Sequence, residues 1–521
     1  MIYRLSVILL ILLLSAGMFQ GCGPKVDTAV DSITAEELHT HLQFIASDEM
    51  KGRNTPSPEL KMAARYIAAQ VEGIGLKPLP AIGDFIQTIP LKITSVNASE
   101  TTISTGGRIF RFGDSFTGSF SESGVIVCTV VSLGYGLHAP ELGWDDLGDI
   151  DLKNQVVIIL DTNLPDDHDI MQRENRRLRS NRANVLRDRG AIGVLRVVDS
   201  QMIERYGRFM GGESTQWPDP LADSDIPFSF FDIRVSPSVA AAALGISTAQ
   251  IQNMINSLQQ GNQVASRTSN RNLTLKVSLN VKEDHSQNVV ALVEGREPTM
   301  RDEYVVIGAH YDHTGVNGQG EVNNGADDDG SGTVALLEIA EAMMIERPNR
   351  SVVICWWTGE EKGLRGARHF VNSETLPLDK INAMLQIDMC SRNAPDSIYV
   401  IGSHFLSTEL DNANTVVANR LNVINPNQWF NDQNFDGRNY HSQSDHYAFH
   451  QAGIPAIFYF SGVHPDLHRP TDDVENCDFQ KMEGVAKLVY GVAIEAGNRP
   501  AMFKIDNSED VTSRGLHNLQ R

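Results

Sequence analysis

The chain has 521 residues, 65 acidic against 44 basic, and a formal net charge of −21 at neutral pH. So acidic a balance excludes binding to nucleic-acid phosphates as a main task and favours a soluble, non-adhesive surface. The length exceeds what one hydrophobic core supports, so two domains are expected.

The chain opens with Met1-Ile-Tyr-Arg4, a short positive stretch, followed by an apolar run over residues 5–19. That run is too short to cross a bilayer comfortably and has the size of an export-signal core. It stops at Gln20-Gly21-Cys22-Gly23-Pro24. A cysteine directly after a small residue at this point resembles a bacterial lipoprotein signal. The resemblance implies a signal segment over residues 1–21 and lipidation of Cys22. The chain would then be exported, either anchored in a membrane facing the periplasm or the outside, or secreted.

Residues 22–33 read as a tether. Thr34-Ala-Glu-Glu37 offers a capping box that opens a helix to about residue 45. A second helix is predicted over 58–74, stopped by Gly75, and a strand over 85–91. In the middle section, 110–284, a buried-type strand over 155–160 precedes an arginine-rich helix over 173–189, whose arginines helical spacing mostly puts on a solvated face. A strand over 191–198 and the apolar stretch Ile226-Pro-Phe-Ser-Phe230 follow. Period-two alternation over 273–281 and a buried-type run over 288–293 resume a sheet, and residues 501–521 form a polar tail. Beyond Cys22 there are Cys128, Cys355, Cys390 and Cys477. Cys355 sits inside a strand and Cys390 beside an acidic strand end, so buried free thiols are expected.

Residues 303–388 carry the chemistry. The run Tyr304-Val-Val-Ile-Gly-Ala309 ends in His310-Tyr-Asp-His313; Ser351-Val-Val-Ile-Cys-Trp-Trp357 ends in Thr358-Gly-Glu360-Glu361; Ile381-Asn-Ala-Met-Leu-Gln-Ile387 ends in Asp388. Between the first two, the polar loop Asn324-Gly-Ala-Asp327-Asp328-Asp329-Gly-Ser-Gly332 leads into a helical pattern over 333–344. Alternating strands and helices predict βαβ units in a largely parallel sheet, whose working groups sit beyond the carboxyl ends of the strands. Neutral imidazoles with several carboxylates suit zinc or another borderline divalent ion. Two histidines and four or more acids exceed the needs of one tetrahedral ion, and Asp328, at the start of a helix, is placed to bridge two.

Together with Ser444-Asp-His446 and His464-Pro-Asp-Leu-His468-Arg-Pro-Thr-Asp472, this run resembles the co-catalytic di-zinc aminopeptidase family, over roughly residues 33–496. The resemblance implies an α/β fold, with a mixed, mostly parallel central sheet flanked by helices, built from residues 34–109 and 285–500. The sequence from Asn181 to Leu195 resembles the helix-then-strand core of a protease-associated domain, which makes 110–284 an inserted, smaller α/β-type domain. Two Zn2+ per chain are implied: His310 and Asp388 on one, Glu361 and His468 on the other, Asp328 bridging. Asp312 would accept the other N–H of the His310 imidazole, and Glu360 would be the general base. Tyr440 is the favoured donor to the developing oxyanion, with His441 as the alternative, since Leu467 stands where some relatives place a tyrosine. His313 and His464 read as supporting or loop residues, and His446 and His450 as structural. His441 competes with His468 as last ligand, but only His468 precedes Pro-Thr-Asp472 and a helical pattern over 479–496.

The implied activity is that of an exported metallo-aminopeptidase acting on peptides with a free N-terminus. No nucleic acid is expected, and a membrane only through the lipid anchor. A glutaminyl cyclase-like or carboxypeptidase-like enzyme on the same scaffold is one alternative, a non-catalytic binding module another. The run Gly359-Glu-Glu-Lys-Gly-Leu-Arg-Gly366 looks like the peptidase version. Tryptophan is absent before His468, where cyclases tend to carry it, and all five ligands and the base are present, unlike in binding modules.

Overall fold

Thr34 does cap a helix: its side chain accepts from Glu37 N, and the helix runs Ala35–Ile45. The next helix, Pro58–Ile74, has Ser57 as its N-cap and ends where Gly75 takes a left-handed φ of 96°. These features belong to a computed structural model that describes residues 25–199, 201–203, 213–218, 230–427 and 440–507. The expected signal segment, Cys22, the stretch 226–229 and most of the polar tail lie outside the described residues. Part of the expected tether is instead helix Lys25–Ser32, because Ala29, Val30 and Ile33 are apolar and bury against the core.

The chain divides into two compact units, one of residues up to Pro90 with His285 onward, the other Leu91–Asp284. The first division falls earlier than residue 109, since strand Thr102–Thr105 pairs with both Arg108–Arg111 and Arg267–Val277.

The first unit is built on a mixed sheet in which Tyr304–His310 lies between Ser351–Trp357 and Ile381–Ile387, parallel to both. Ile381–Ile387 is also parallel to Ala456–Phe460. Leu279–Val293 flanks Ser351–Trp357 antiparallel, and Ser397–Ile401 flanks Ala456–Phe460 antiparallel. Every residue of Ser351–Trp357 and Ile381–Ile387 is buried, as expected of parallel strands covered on both faces. Helix Gly332–Ile345 is buried nearly all round, and Phe479–Asn498 buries most of its length. Both are core helices.

Among the described residues the second unit carries its own eight-stranded sheet, with Gly124–Ser132, Gln155–Leu160, Gly193–Val197 and Phe231–Val235 parallel in sequence. The expected single arginine-rich helix is broken into a 3-10 turn Arg173–Asn175 and helices Arg176–Ser180 and Arg182–Asp188. The break turns Arg182 inward. It is buried, donates to Tyr135 O at 2.7 Å and pairs with Asp161 at 2.8 Å, so the arginines do not all share a solvated face. Cys128, Cys355, Cys390 and Cys477 are free thiols. Among the described residues no helix is long and apolar enough to cross a membrane.

Candidate metal centre

Three parallel strands end level with one another, and their next residues converge. His310 closes its strand with the backbone locked: His310 N donates to Asp329 Oδ2 at 3.1 Å, and Thr333 Oγ1 donates to His310 O at 2.8 Å. Its Nδ1 lies 3.0 Å from the main-chain carbonyl of Asp312. A carbonyl only accepts, so Nδ1 carries the proton and the Nε2 lone pair faces the site.

That contact corrects the expectation for Asp312. The Asp312 carboxylate is 3.8 Å from His310 Nδ1 and is engaged elsewhere, accepting from Glu360 N and from Thr55 Oγ1, each at 3.1 Å. The imidazole is thus oriented by the Asp312 backbone, while the side chain holds the Glu360 turn.

Asp328 is the pivot. Its Oδ1 lies 3.2 Å from His310 Nε2, and its Oδ2 lies 3.0 Å from His468 Nε2. One carboxylate therefore faces two donor groups. Asp388 Oδ1 is 3.5 Å from His310 Nε2, and its Oδ2 accepts from Ser444 Oγ at 2.6 Å. Glu361 Oε1 is 3.1 Å from His468 Nε2.

The neighbouring aspartates have other work. Asp327 Oδ1 accepts from Ser391 N and Oγ, both at 2.7 Å, and Asp329 accepts from the backbone N–H groups of His310, Gly332 and Met389. Asp472 receives Asp327 N and Asp328 N at 3.1 Å each, which fixes the loop; the Asp328–Asp329 peptide is cis.

One histidine beyond the expected five ligands reaches the cluster. His313 is fully buried, with Nδ1 3.1 Å from Glu361 Oε1 and 3.5 Å from Asp328 Oδ2. Its ring meets that of His468 edge-on, centroids 5.5 Å apart. The sequence signal was its place three residues after His310, but no periodicity assigns a direction to a loop side chain. Arg53 was also missed. It is buried in a turn with φ 47°, and its guanidinium donates to the carbonyls of Ile45, Tyr311, Asn324 and Gly325.

The other singled-out residues have their own surroundings. Tyr440 is buried in a cluster with Met389, Ile401, Phe458 and Phe460, and Met389 directly follows Asp388. His441 packs against Phe405, His446 and His450. His446 stacks on Phe458, a structural placement. His464 Nε2 lies 3.3 Å from Asp327 Oδ2.

Charge explains what this arrangement is for. Burial pushes the Glu360 carboxyl well above the ordinary carboxylate range, His310 opposes the shift, and Asp388, Asp445 and Glu361 add to it. Burial likewise raises Asp388 and brings Asp312 up to about 6. Burial would raise Asp328 too, yet the imidazoles of His313, His310 and His468 hold it well below the ordinary range. Five carboxylates around three histidines make an unbalanced negative site, which divalent cations neutralise.

The donor geometry fits such ions. Donors bound about 2.0–2.2 Å from a tetrahedral ion stand roughly 3.3–3.6 Å apart, and the contacts around His310 and His468 measure 3.0–3.5 Å. Two groups, His310 with Asp328 and Asp388, and His313 with Asp328 and Glu361, each bring their donor atoms within 4.8 Å of one another. Imidazole and carboxylate together suit zinc.

The α/β sheet thus brings two groups of candidate metal donors together beyond its parallel strand ends. Residues 288–493 match the family model of Peptidase family M28. The chain is similar to a "Probable leucine aminopeptidase" of Trichophyton verrucosum (strain HKI 0517), 29% identical over 227 residues, 41% of this chain and 59% of that one. A protein of the same description from Arthroderma benhamiae matches to the same extent. The chain thus spans 59% of the length of these curated relatives. Among solved structures, the aminopeptidase from Aneurinibacillus sp. strain AM-1 shares the fold, with TM-score 0.50, 20% identity, and coverage of 92% of this chain and 98% of that one.

Proposed function

We propose that the protein is an exported aminopeptidase that uses two zinc ions to remove N-terminal residues from peptides. The observation that carries this reading is Asp328, whose two carboxylate oxygens face separate histidine–carboxylate groups. His310 and Asp388 would hold one ion, Glu361 and His468 the other, with Asp328 shared. When bound, the ions supply Lewis acidity toward a carbonyl and bring the pKa of a coordinated water near neutrality.

The chain's residues do the rest. Glu360 follows the left-handed Gly359, φ 68°, and its backbone is pinned by Asp312. Its raised affinity for a proton suits a group that takes a proton from the attacking water and passes it to the leaving amine. The surplus of carboxylates favours a substrate's cationic α-amino group, which fits removal of terminal residues. Tyr440 would donate to the developing oxyanion. The relatives named leucine aminopeptidase make leucyl substrates the first to try. Lipid anchoring at Cys22 and a protease-associated identity for Leu91–Asp284 belong to the same reading.

The test pairs bound zinc per chain with release of chromophore from a panel of aminoacyl anilides, with Glu360→Gln as control. About two zinc ions, and hydrolysis lost in the variant while metal is kept, are expected. One zinc without hydrolysis would overturn the reading in favour of a cyclase-like enzyme.

A further inference from the structure

The second metal position has one donor more than a hydrolytic site needs. Asp328 Oδ2, Glu361 Oε1 and His468 Nε2 are mutually oriented with His468 contacts of 3.0 and 3.1 Å. His313 Nδ1 enters the same group at 3.1 Å from Glu361 Oε1 and 3.5 Å from Asp328 Oδ2. These are separations between two ligands of one small ion.

A hydrogen bond does not account for them. His313 Nδ1 and Glu361 Oε1 are both buried and neither meets hydrogen-bond geometry. A buried imidazole nitrogen and a buried carboxylate oxygen held this close without a hydrogen bond are costly unless a cation lies between them.

We propose that His313 is a protein ligand of the second ion, binding through Nδ1 and completing a four-donor set with Asp328, Glu361 and His468. The assignment rests on the two-metal reading and deepens it. The two positions are then unequal. The one with His310, Asp328 and Asp388 has three protein donors and keeps a place for reacting groups. The other would have four protein donors. The half-exposed His468 is backed by a fully buried partner, which resists loss of that ion to solvent.

The experiment follows the ligands directly. The purified full chain, labelled with 15N-histidine and loaded with 113Cd, should show three histidines coupled to cadmium. Two would couple through Nε2, for His310 and His468, and one through Nδ1, for His313. Coupling of only two histidines would overturn the assignment even if the protein hydrolyses peptides with two zinc ions.

A second readout uses zinc-buffered titration of His313→Gln, with His464→Gln as control. The variant should keep its first zinc with wild-type affinity and bind the second about 100-fold or more weakly, a loss at or beyond the upper end for supporting residues. With cobalt at saturation, its visible absorption should differ from wild type. A variant with wild-type affinity, or with weakened affinity but an unchanged cobalt spectrum, would overturn the proposal. A wild-type chain that holds no divalent ion would overturn the peptidase reading, and this assignment with it.

Discussion

Glu360 and Glu361 are adjacent in the chain and differ in their surroundings. Glu361 shares its Oε1 with two imidazoles, whereas the Glu360 carboxyl is raised by burial and by the acids around it. Glu360→Gln keeps the size and the backbone contact to Asp312 and removes only the titrating oxygen. Its kcat should fall about 100- to 10,000-fold with zinc content unchanged; loss of metal together with activity would instead make Glu360 a ligand. At this scale the sequence was informative wherever an apolar run ended in a polar side chain, as for His310, Glu361 and Asp388. It read His313 only as a supporting or loop residue, because a loop residue has no period to set its direction. It misdirected Asp312, since backbone and side-chain acceptors of one residue cannot be told apart before the turn is built.

Helices were legible through their ends, Thr34 and Gly75, because caps act on neighbours a few residues away. The broken arginine helix was not, since the inward turn of Arg182 depends on Tyr135 and Asp161, both distant in sequence. One buried acid couples two helices. Glu338, within Gly332–Ile345, accepts from Thr34 N at 3.3 Å and stands 3.9 Å from His41 Nε2. Burial nonetheless lowers His41 and pushes Glu338 up to about 8, so both sit as neutral groups and the contact is not a stabilising ion pair. Between the ordinary 4.5 and about 8, the folded chain must hold a proton that the unfolded chain gives up. Stability is therefore full below 4.5 and falls as pH rises toward 8. Glu338→Gln keeps the acceptor for Thr34 and removes the titration. It should match wild type in thermal unfolding at pH 4 and exceed it by about 1–3 kcal/mol at pH 8; a gap independent of pH would contradict the buried titration.

Across the first unit, Arg53 plays for the backbone the part that bound cations would play for the carboxylates. It serves the carbonyls of Ile45, Tyr311, Asn324 and Gly325 at once, joining the start of the chain to the loops that carry His310, His313 and Asp328. Arg53→Met fills the space but leaves those buried acceptors without a donor, so destabilisation by about 3–5 kcal/mol and weaker zinc binding are expected. Calorimetry and metal titration of the variant check both. The same accounting predicts how the whole protein answers to chelation. Burial lifts Asp312 and Asp472 from 3.8 to about 6. In chelator-treated protein their contribution to stability is complete below 3.8 and is lost as pH rises through about 6, by roughly 3 kcal/mol for each such group. Divalent ions favour the ionised carboxylates and bind more tightly as histidines deprotonate, so both effects act in one direction. The difference in unfolding temperature between zinc-loaded and chelated protein should therefore widen steadily from pH 4.5 to 7.5. A constant or narrowing difference would mean that the buried carboxylates are satisfied by the protein alone, and the metal centre would lose its main physical reason to exist.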